Sequence, residues 1–319
     1  MHVVSSTDFG QTWAHELTID AGTDLREPYF LDVNGTLFFY YVEAGVNPIA
    51  FEPGRMQQRQ YLDPGWSKAE IWGQESEIAW QYGIKDGIAL TISYSGMHYS
   101  LAELGQVNLF LNFSEDGRVW NNGVGLASPF YTGGISEVGW TFDADGIMWG
   151  VGRNEDGDDS GWGSRLFYFD PESMSEPQWT NDRSDPHIYE SPRMFTHRGE
   201  VYLVARTDPK GPFMSNNTLN NFPPVIHHLY DLVAYSFRPH GTAIWRLDRV
   251  KRTLERVLDL PGCGDTAFPS IVPMDEDHFM IFNYSGPQCE EDEEVSWIVG
   301  QVSPEGTLIY ALTIEFQEI

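Results

Sequence analysis

Short apolar segments separated by turn residues recur along the whole chain. In the clearest unit, residues 26–43, two apolar runs flank Asn34-Gly35. Two such runs joined by Asn-Gly are a strong local signal for a β-hairpin. Related units turn at Asp86-Gly87, Asp145-Gly146, Arg198-Gly199 and near Glu276-Asp277. Five hairpins of related pattern predict a repeat architecture.

Each hairpin is followed by further apolar runs, so each repeat predicts a unit of about four strands. These runs are residues 55–62 and 69–72; 106–113 and a segment near 120; 165–169 and a segment near 179; 232–237 with 243–247 or 254–258; and 296–302 with 308–316. The pattern predicts an all-β protein, a β-propeller of four-stranded antiparallel blades. We expect five complete modules plus an N-terminal half module (residues 2–6 and 12–19), in a five- or six-bladed ring that is a single domain, 1–319.

Helical periodicity is nearly absent. The longest candidate helix, residues 245–258, fits equally well as two strands that turn near Lys251-Arg252.

Composition limits the partners. The net charge of −28 argues against nucleic acid and anionic membranes, which both require a positive surface. No run approaches 18 apolar residues, and residues 1–6 lack the basic and apolar regions of a signal peptide. Localisation and oligomeric state stay open.

An acid opens each predicted hairpin, which suggests carboxylates gathered at one end of the repeats. Because the first residue of a hairpin lies beside the last, Glu137 should neighbour Arg153, and Glu190 should neighbour Arg206. Such pairs either orient a guanidinium towards an anionic ligand or are structural ion pairs. The opening acids are Glu27, Glu77, Glu137, Glu190 and Asp265.

Residues 6–13, Ser-Thr-Asp-Phe-Gly-Gln-Thr-Trp, match the Asp-box pattern Ser-x-Asp-x-Gly-x-Thr-Trp. We expect a hairpin turn in which Asp8 accepts backbone hydrogen bonds, Gly10 takes a positive φ, and Trp13 packs between sheets. Residues 114–120 look like a degenerate copy of this motif.

With the Asp box, two further motifs resemble the sialidase-like (Asp-box, or BNR-repeat) propeller superfamily. Arg26-Glu27-Pro28 is similar to the sialidase Arg-Ile-Pro motif, and Glu137 with Arg153 is similar to its Glu and Arg pair. The resemblance implies that Arg26, Arg153 and Arg206 bind an acidic sugar. It fails at Phe268, which occupies the place of the family's nucleophilic Tyr and has no oxygen with which to attack. The family's acid/base Asp has no clear counterpart either.

Paired carboxylates can still hydrolyse a glycosidic bond, one as acid and the other as base or nucleophile. We therefore expect a carbohydrate-active enzyme, a glycoside hydrolase that acts on an acidic or polyhydroxylated glycan and is not a typical sialidase. The alternatives are a non-catalytic, lectin-like propeller and a protein-interaction propeller. The candidate catalytic residues are Glu137, Glu190 and Asp265, and the candidate substrate-binding residues are Arg26, Glu27, Arg153, Arg206, Tyr94, Trp140 and Tyr284.

No cofactor is expected. Residues 156–161 resemble the start of a calcium loop, but Phe167 stands where the twelfth-position acid belongs. We expect a solvated loop and no metal site, with calcium as the alternative, and we read His227-His228 as surface or substrate contact. Cys263 and Cys289 flank the fifth hairpin, and either a disulfide or two free thiols would fit.

Overall fold

A computed structural model describes residues 1–46, 52–96, 98, 106–122, 128–171, 173–213, 222–286, 295–304 and 306–317. The fold is a five-bladed β-propeller of antiparallel sheets, as the repeats predicted. The chain forms two compact units. The first contains Met1–Gly96 and Phe110–Val124, and the second contains Met97–Leu109 and Gly125–Ile319. The prediction of a single domain stays a prediction.

The first unit begins with the predicted half module, the two-stranded sheet of β1 (His2–Ser5) and β2 (Ala14–Thr18). Val3 and Ile19 pack on Phe39 and Tyr41 of blade 1, which fixes this sheet to that blade. Blade 1 consists of β3 (Asp24–Val33), β4 (Thr36–Ala44), β5 (Pro53–Leu62), β6 (Gly65–Trp66) and β7 (Glu70–Trp72).

Blade 2 is divided between the two units. Its strands are β8 (Ile78–Lys85), β9 (Ile88–Gly96), β10 (Val107–Ser114), β11 (Asn121–Asn122) and β12 (Tyr131–Gly133).

The second unit contains blades 3 to 5. Apolar clusters rich in aromatic and branched side chains pack blade 3 on blade 4 and blade 4 on blade 5. Blade 3 is β13 (Ile135–Phe142), β14 (Met148–Asp158), β15 (Gly161–Phe169) and β16 (Gln178–Trp179); blade 4 is β17 (Glu190–His197), β18 (Glu200–Thr207), β19 (Gly241–Asp248) and β20 (Thr253–Leu260); and blade 5 is β21 (Ala267–Pro273), β22 (His278–Ser285) and β23 (Leu308–Glu315).

The candidate helix at residues 245–258 is a strand pair, β19 and β20, which turns at residues 249–252. The strand predicted at 232–237 is wrong, because helix α1 (Pro224–Ser236) occupies it. Pro224 starts α1, where its missing N–H costs nothing. The helix buries His228, Asp231 and Tyr235 at helical spacing, whereas Ile226 and Val233 are exposed. A polar buried face is invisible to a search for apolar periodicity.

The strand predicted at 296–302 is also wrong, because residues Trp297–Gln301 form the short helix α2. Gly300 lies directly against the backbone of residues 264–265, and a Cβ there would come within 2.2 Å of the Asp265 nitrogen. This close approach, together with a hydrogen bond of 2.5 Å from Gln301 to Asp265, favours the helix locally.

The Asp box forms the expected turn. Asp8 accepts hydrogen bonds from the Thr12 backbone and hydroxyl at 2.9 and 2.6 Å, and Gly10 has φ 83°. Trp13, however, is 51 % exposed and does not pack between sheets as expected. In the degenerate copy, Asp116 makes the equivalent backbone contacts, and Trp120 stacks on Trp72.

Cys263 is disulfide-bonded, and no described cysteine is free. Cys289, the other cysteine of the sequence, lies outside the described residues. No helix among the described residues is long and apolar enough to span a membrane.

Candidate active site

A strained three-residue element recurs where the inner strand of a blade begins. Glu27, Ser191 and Phe268 have φ of 51°, 49° and 55°, and each precedes a proline. The strand register shifts at the same places in blades 1, 4 and 5. A β-bulge of this kind re-aims side chains and is common beside active sites.

The shared backbone conformation shows which positions of the three blades are equivalent, although the residue types differ. The residue before the strained position is Arg26 in blade 1, Glu190 in blade 4 and Ala267 in blade 5. Glu27, Glu190 and Asp265 therefore occupy three different positions of the repeat, although sequence spacing had presented them as equivalent.

In the second unit, three carboxylates surround Arg153. Its guanidinium bonds Glu137 at 3.0 Å and Glu155 at 2.6 Å, and it also contacts Glu190. The side chain of Arg153 is only 9 % exposed. The predicted pairing of Glu137 with Arg153 is thus confirmed, and Glu137 also accepts a bond of 2.7 Å from the Ser191 amide.

Arg206 extends this network to blade 5. It donates to Glu190 at 3.0 Å, to Asp265 at 3.2 Å, to Tyr284 at 3.3 Å and to the Thr266 carbonyl at 2.7 Å. Glu190 and Arg206 are direct partners in the strand register, which confirms the second predicted pair. The two arginines thereby join acids from three successive blades.

The carboxyl groups of this network have opposite pKa shifts. Burial alone raises the pKa of Glu190, but the charges of Arg153 and Arg206 outweigh burial and lower it to about 2. Burial raises the pKa of Glu155 to about 7 despite Arg153. Burial also raises the pKa of Asp265. Glu190 is therefore ionised at neutral pH, and it contacts the same Arg153 nitrogen as Glu155, a carboxyl group able to hold a proton.

Helix α1 adds polar groups that the sequence reading did not single out. Tyr235 donates to Glu190 at 3.0 Å, and its ring lies 4.3 Å from that of His240. Burial, with the charge of Glu155, raises the pKa of Asp231 to about 7. Burial lowers the pKa of His240 to about 3, so this imidazole is neutral.

The segment that resembles the start of a calcium loop is mostly buried at its start. Asp156 is 2 % exposed and lies 2.8 Å from His98 and 3.6 Å from His228. Asp158 accepts hydrogen bonds from Tyr131 and Asn154 at 2.6 and 3.1 Å. The expectation of a solvated loop is therefore wrong for these two acids, and His228, at 0 % exposure, is not surface. Within the described ranges, no group of three His, Cys, Asp or Glu side chains is arranged to hold a metal.

Three of the remaining candidates, Arg26, Glu27 and Tyr94, belong to the first unit. Arg26 is exposed and bonds Asp24 at 2.5 Å, while Glu27 is half-buried. Glu77 is buried and bonds Ser93 and Asn112, at 2.5 and 3.1 Å, which gives it a structural role. Tyr94 is 6 % exposed.

The aromatic candidates of the second unit differ in setting. Tyr284 bonds both Arg206 and Asp265, and its ring stacks at 5.8 Å on that of Phe268. Trp140 is 3 % exposed and lies edge-on to Phe142 within blade 3. Sugar stacking by Trp140 and Tyr94 stays a prediction.

No protein-family profile matches the chain, and no curated protein is similar to it in sequence. Solved structures are similar in fold. A protein of unknown function from Dyadobacter fermentans aligns over 99 % of this chain and 84 % of its own, with a TM-score of 0.63 and 13 % identity. A thermostable family-43 glycoside hydrolase aligns over 93 % and 91 %, with a TM-score of 0.52 and 11 % identity. At these identities the likeness supports the propeller fold alone.

Proposed function

We propose that the chain is a glycoside hydrolase whose chemistry is performed by buried carboxyl groups of blades 3 to 5. The observation that carries the proposal is the contact of Glu155 and Glu190 with one nitrogen of Arg153. Two neighbouring acids with opposite pKa shifts are how glycosidases assign a proton donor and an ionised partner. The family-43 hydrolase of the same fold is consistent with this chemistry.

In this proposal Glu155 donates the proton to the leaving oxygen. One of its oxygens bonds Arg153, while the other, Oε2, is buried without a hydrogen-bond partner in the described part of the chain. A proton on that oxygen is therefore available for transfer. Glu190 remains ionised and serves as base, nucleophile or charge stabiliser.

Two further acids, both predicted from the sequence, support Glu155 and Glu190. Glu137 and Asp265 orient Arg153 and Arg206 from the flanking blades. Arg26, Glu27, Tyr94, Trp140 and Tyr284 remain candidate sugar contacts. A polyhydroxylated glycan is the substrate class that such a mixture of acids, guanidinium groups and aromatic rings accommodates.

Glu155→Gln and Glu190→Gln test this proposal on a panel of aryl glycosides and polysaccharides with product analysis. Each substitution keeps the shape and removes a proton donor or a charge, so we expect kcat to fall by about 100-fold or more. An activated aryl leaving group needs no proton donor, so Glu155→Gln should lose far less on dinitrophenyl glycosides than on native glycans. Full turnover by both variants would contradict the assignment.

Glycan binding without hydrolysis is the second candidate. Both oxygens of Glu190 are already engaged, by Arg153, by Arg206 and by Tyr235, and a carboxylate held this firmly suits a binding site. Tight binding on a glycan array, with no product released from any bound glycan, would favour this alternative.

A further inference from the structure

A polar cleft lies within the second unit, between blades 3 and 4. The space between its walls is about 390 Å³, including the part that is open to solvent. We call it the arginine cleft, because its lining includes Arg165, Arg183 and Arg252 against a single acid, Asp185. The lining includes none of the carboxyl groups of the candidate active site.

Three arginines around one cleft are unusual in this chain. Only 19 of its residues are Lys or Arg, against 47 acids. Most described arginines contact a carboxylate, and Arg165 itself lies 3.5 Å from Asp158. Within the described ranges, no ion pair engages Arg183 or Arg252. The cleft therefore presents positive charge that the protein does not itself neutralise.

The one acid of the cleft is already occupied. Asp185 Oδ1 accepts a bond of 2.9 Å from the His187 amide and lies 2.8 Å from its ring nitrogen. Its Oδ2 accepts a bond of 3.3 Å from the Tyr189 hydroxyl. These contacts reduce its capacity to pair with the arginines.

Two of the three guanidinium groups are held in place by aromatic rings. Arg165 lies over the Trp179 ring at 4.2 Å and donates to the Asn181 carbonyl at 3.2 Å. Arg252 lies over the Tyr168 ring at 4.6 Å. Stacking of this kind fixes a guanidinium and leaves its N–H groups able to bind an anion in a bidentate manner.

Part of the lining is apolar. Val151 and Tyr189 belong to the core cluster between blades 3 and 4, and Leu166 and Leu254 pack against it. Thr180 and Asn181 add hydroxyl and amide groups at the edge. The apolar surface suits the ring face of a sugar, and the hydrogen-bonding groups suit its hydroxyls. The guanidinium groups without an ion-pair partner suit the carboxylate of a uronic acid.

The backbone of the cleft is also constrained. Ser164 and Asp185 exchange two backbone hydrogen bonds of 2.9 and 2.8 Å. Gly163 beside them has φ 119°, and a Cβ there would lie 2.0 Å from the Asp185 carbonyl oxygen. The two hydrogen bonds attach the segment that carries Arg183 and Asp185 to β15, and the close approach of its backbone requires glycine at position 163.

We infer that the arginine cleft is a second carbohydrate site, which binds a uronic acid unit of an acidic glycan through Arg183, Arg252 and Arg165. The inference rests on the proposed function only for the identity of the ligand as a glycan. Elsewhere the strongly acidic protein repels such a polymer, so this cleft would define where it attaches.

The test is calorimetric titration with methyl glycosides of D-galacturonate and D-glucuronate, against methyl D-galactoside and acetate as probes. The full chain should bind a uronate glycoside, and Arg183→Gln/Arg252→Gln should weaken binding by about tenfold or more. Arg246→Gln is the matched control, because Arg246 is an exposed arginine of blade 4 that pairs with Glu255. This control should bind as the unchanged chain does.

Three outcomes would overturn the inference: no uronate binding, equal binding by the double variant, or equal binding of galactoside or acetate. The two variants must share the far-ultraviolet spectrum and Tm of the parent. The titrations are repeated in Glu190→Gln protein, which separates the two proposals. Loss of uronate binding there would place the ligand at the candidate active site and refute the cleft, whereas failure to find hydrolysis leaves the cleft measurement intact.

Discussion

Glu155 and Glu190 contact the same guanidinium nitrogen, yet the pKa of Glu155 is raised and that of Glu190 is lowered. The difference comes from their partners. Glu190 contacts two arginines and a tyrosine hydroxyl, while the side chain of Glu155 forms its ion pair with Arg153. Burial is then decisive for Glu155, and the guanidinium charges are decisive for Glu190.

These shifts predict a pH-dependent stability. The pKa of Glu155 and of Asp231 is raised to about 7 in the fold, so their protonated forms are favoured there. Their contribution is complete at a pH below the unfolded pKa and is lost as pH rises through about 7. We expect the free energy of unfolding to fall between pH 5 and pH 8 in urea titrations, by less in Glu155→Gln and least in Glu155→Gln/Asp231→Asn.

Glu190 supplies the opposite control. Its pKa is lowered to about 2, so its stabilisation is complete above the unfolded pKa and disappears as pH falls towards 2. Glu190→Gln should therefore reduce the acid dependence below pH 5. It should also diminish the loss near pH 7, because the charge of Glu190 contributes to the raised pKa of Glu155. Equal slopes between pH 5 and pH 8 in all the variants would contradict the assignment of Glu155 and Asp231.

Part of this site was predictable residue by residue. Hairpin geometry predicted Glu137 beside Arg153 and Glu190 beside Arg206, because the first and last residues of a hairpin with a short turn lie side by side. The place of Glu155 in this site could also have been predicted from the sequence, since it lies two residues after Arg153 on the same strand and hence on the same face. Asp231 and Tyr235 were not, because their burial depends on a helix whose inner face is polar.

At the scale of elements, the turn of the blade 3 hairpin is joined to the β19–β20 turn of blade 4. Asp143 accepts hydrogen bonds of 2.9 and 3.0 Å from the amides of Asp145 and Ile147. Its other oxygen accepts bonds of 2.9 Å from the Trp149 indole and 3.1 Å from Arg249. A single carboxylate thus closes one turn and ties it to the neighbouring blade.

Asp143→Ala should destabilise the protein by about 2–4 kcal/mol, because it opens the turn and leaves the buried Trp149 indole N–H without an acceptor. Chemical denaturation followed by tryptophan fluorescence measures this. Asp143→Asn keeps an acceptor oxygen and should lose clearly less. Asp145→Ala, which removes an exposed acid of the same turn, is the matched control and should lie within about 0.5 kcal/mol of the parent.

Some secondary-structure elements could be predicted from their own sequence, and others could not. All five hairpins were predictable, since alternation and turn residues are encoded within some 18 residues. Helices α1 and α2 were not. Residues 232–237 and 297–301 carry apolar residues that suit a strand, and it is Pro224 and the close packing of Gly300 that decide otherwise.

At the scale of the whole molecule, the charge balance is the dominant feature. A net charge of −28 at neutral pH opposes the compact state by self-repulsion, which salt screens. We expect Tm at pH 7 to rise by several degrees between low salt and about 0.5 M NaCl. Differential scanning fluorimetry over a NaCl series measures this.

The same series at pH 4.4, near the isoelectric point of the sequence, is the internal control. Net repulsion is then close to zero, so the rise should largely vanish. A salt effect of equal size at both pH values would mean that ion-specific solvation, rather than net charge, controls the stability.

The bulge that ends in proline has a consequence for how chemistry is distributed over the blades. Its backbone is maintained by Glu27-Pro28, Ser191-Pro192 and Phe268-Pro269, whatever side chain comes before. The position just before the bulge is a cation (Arg26) in blade 1, an anion (Glu190) in blade 4 and a methyl group (Ala267) in blade 5. Reactive groups can therefore be exchanged there without rebuilding a strand, and Ala267 is a ready-made position at which to install one.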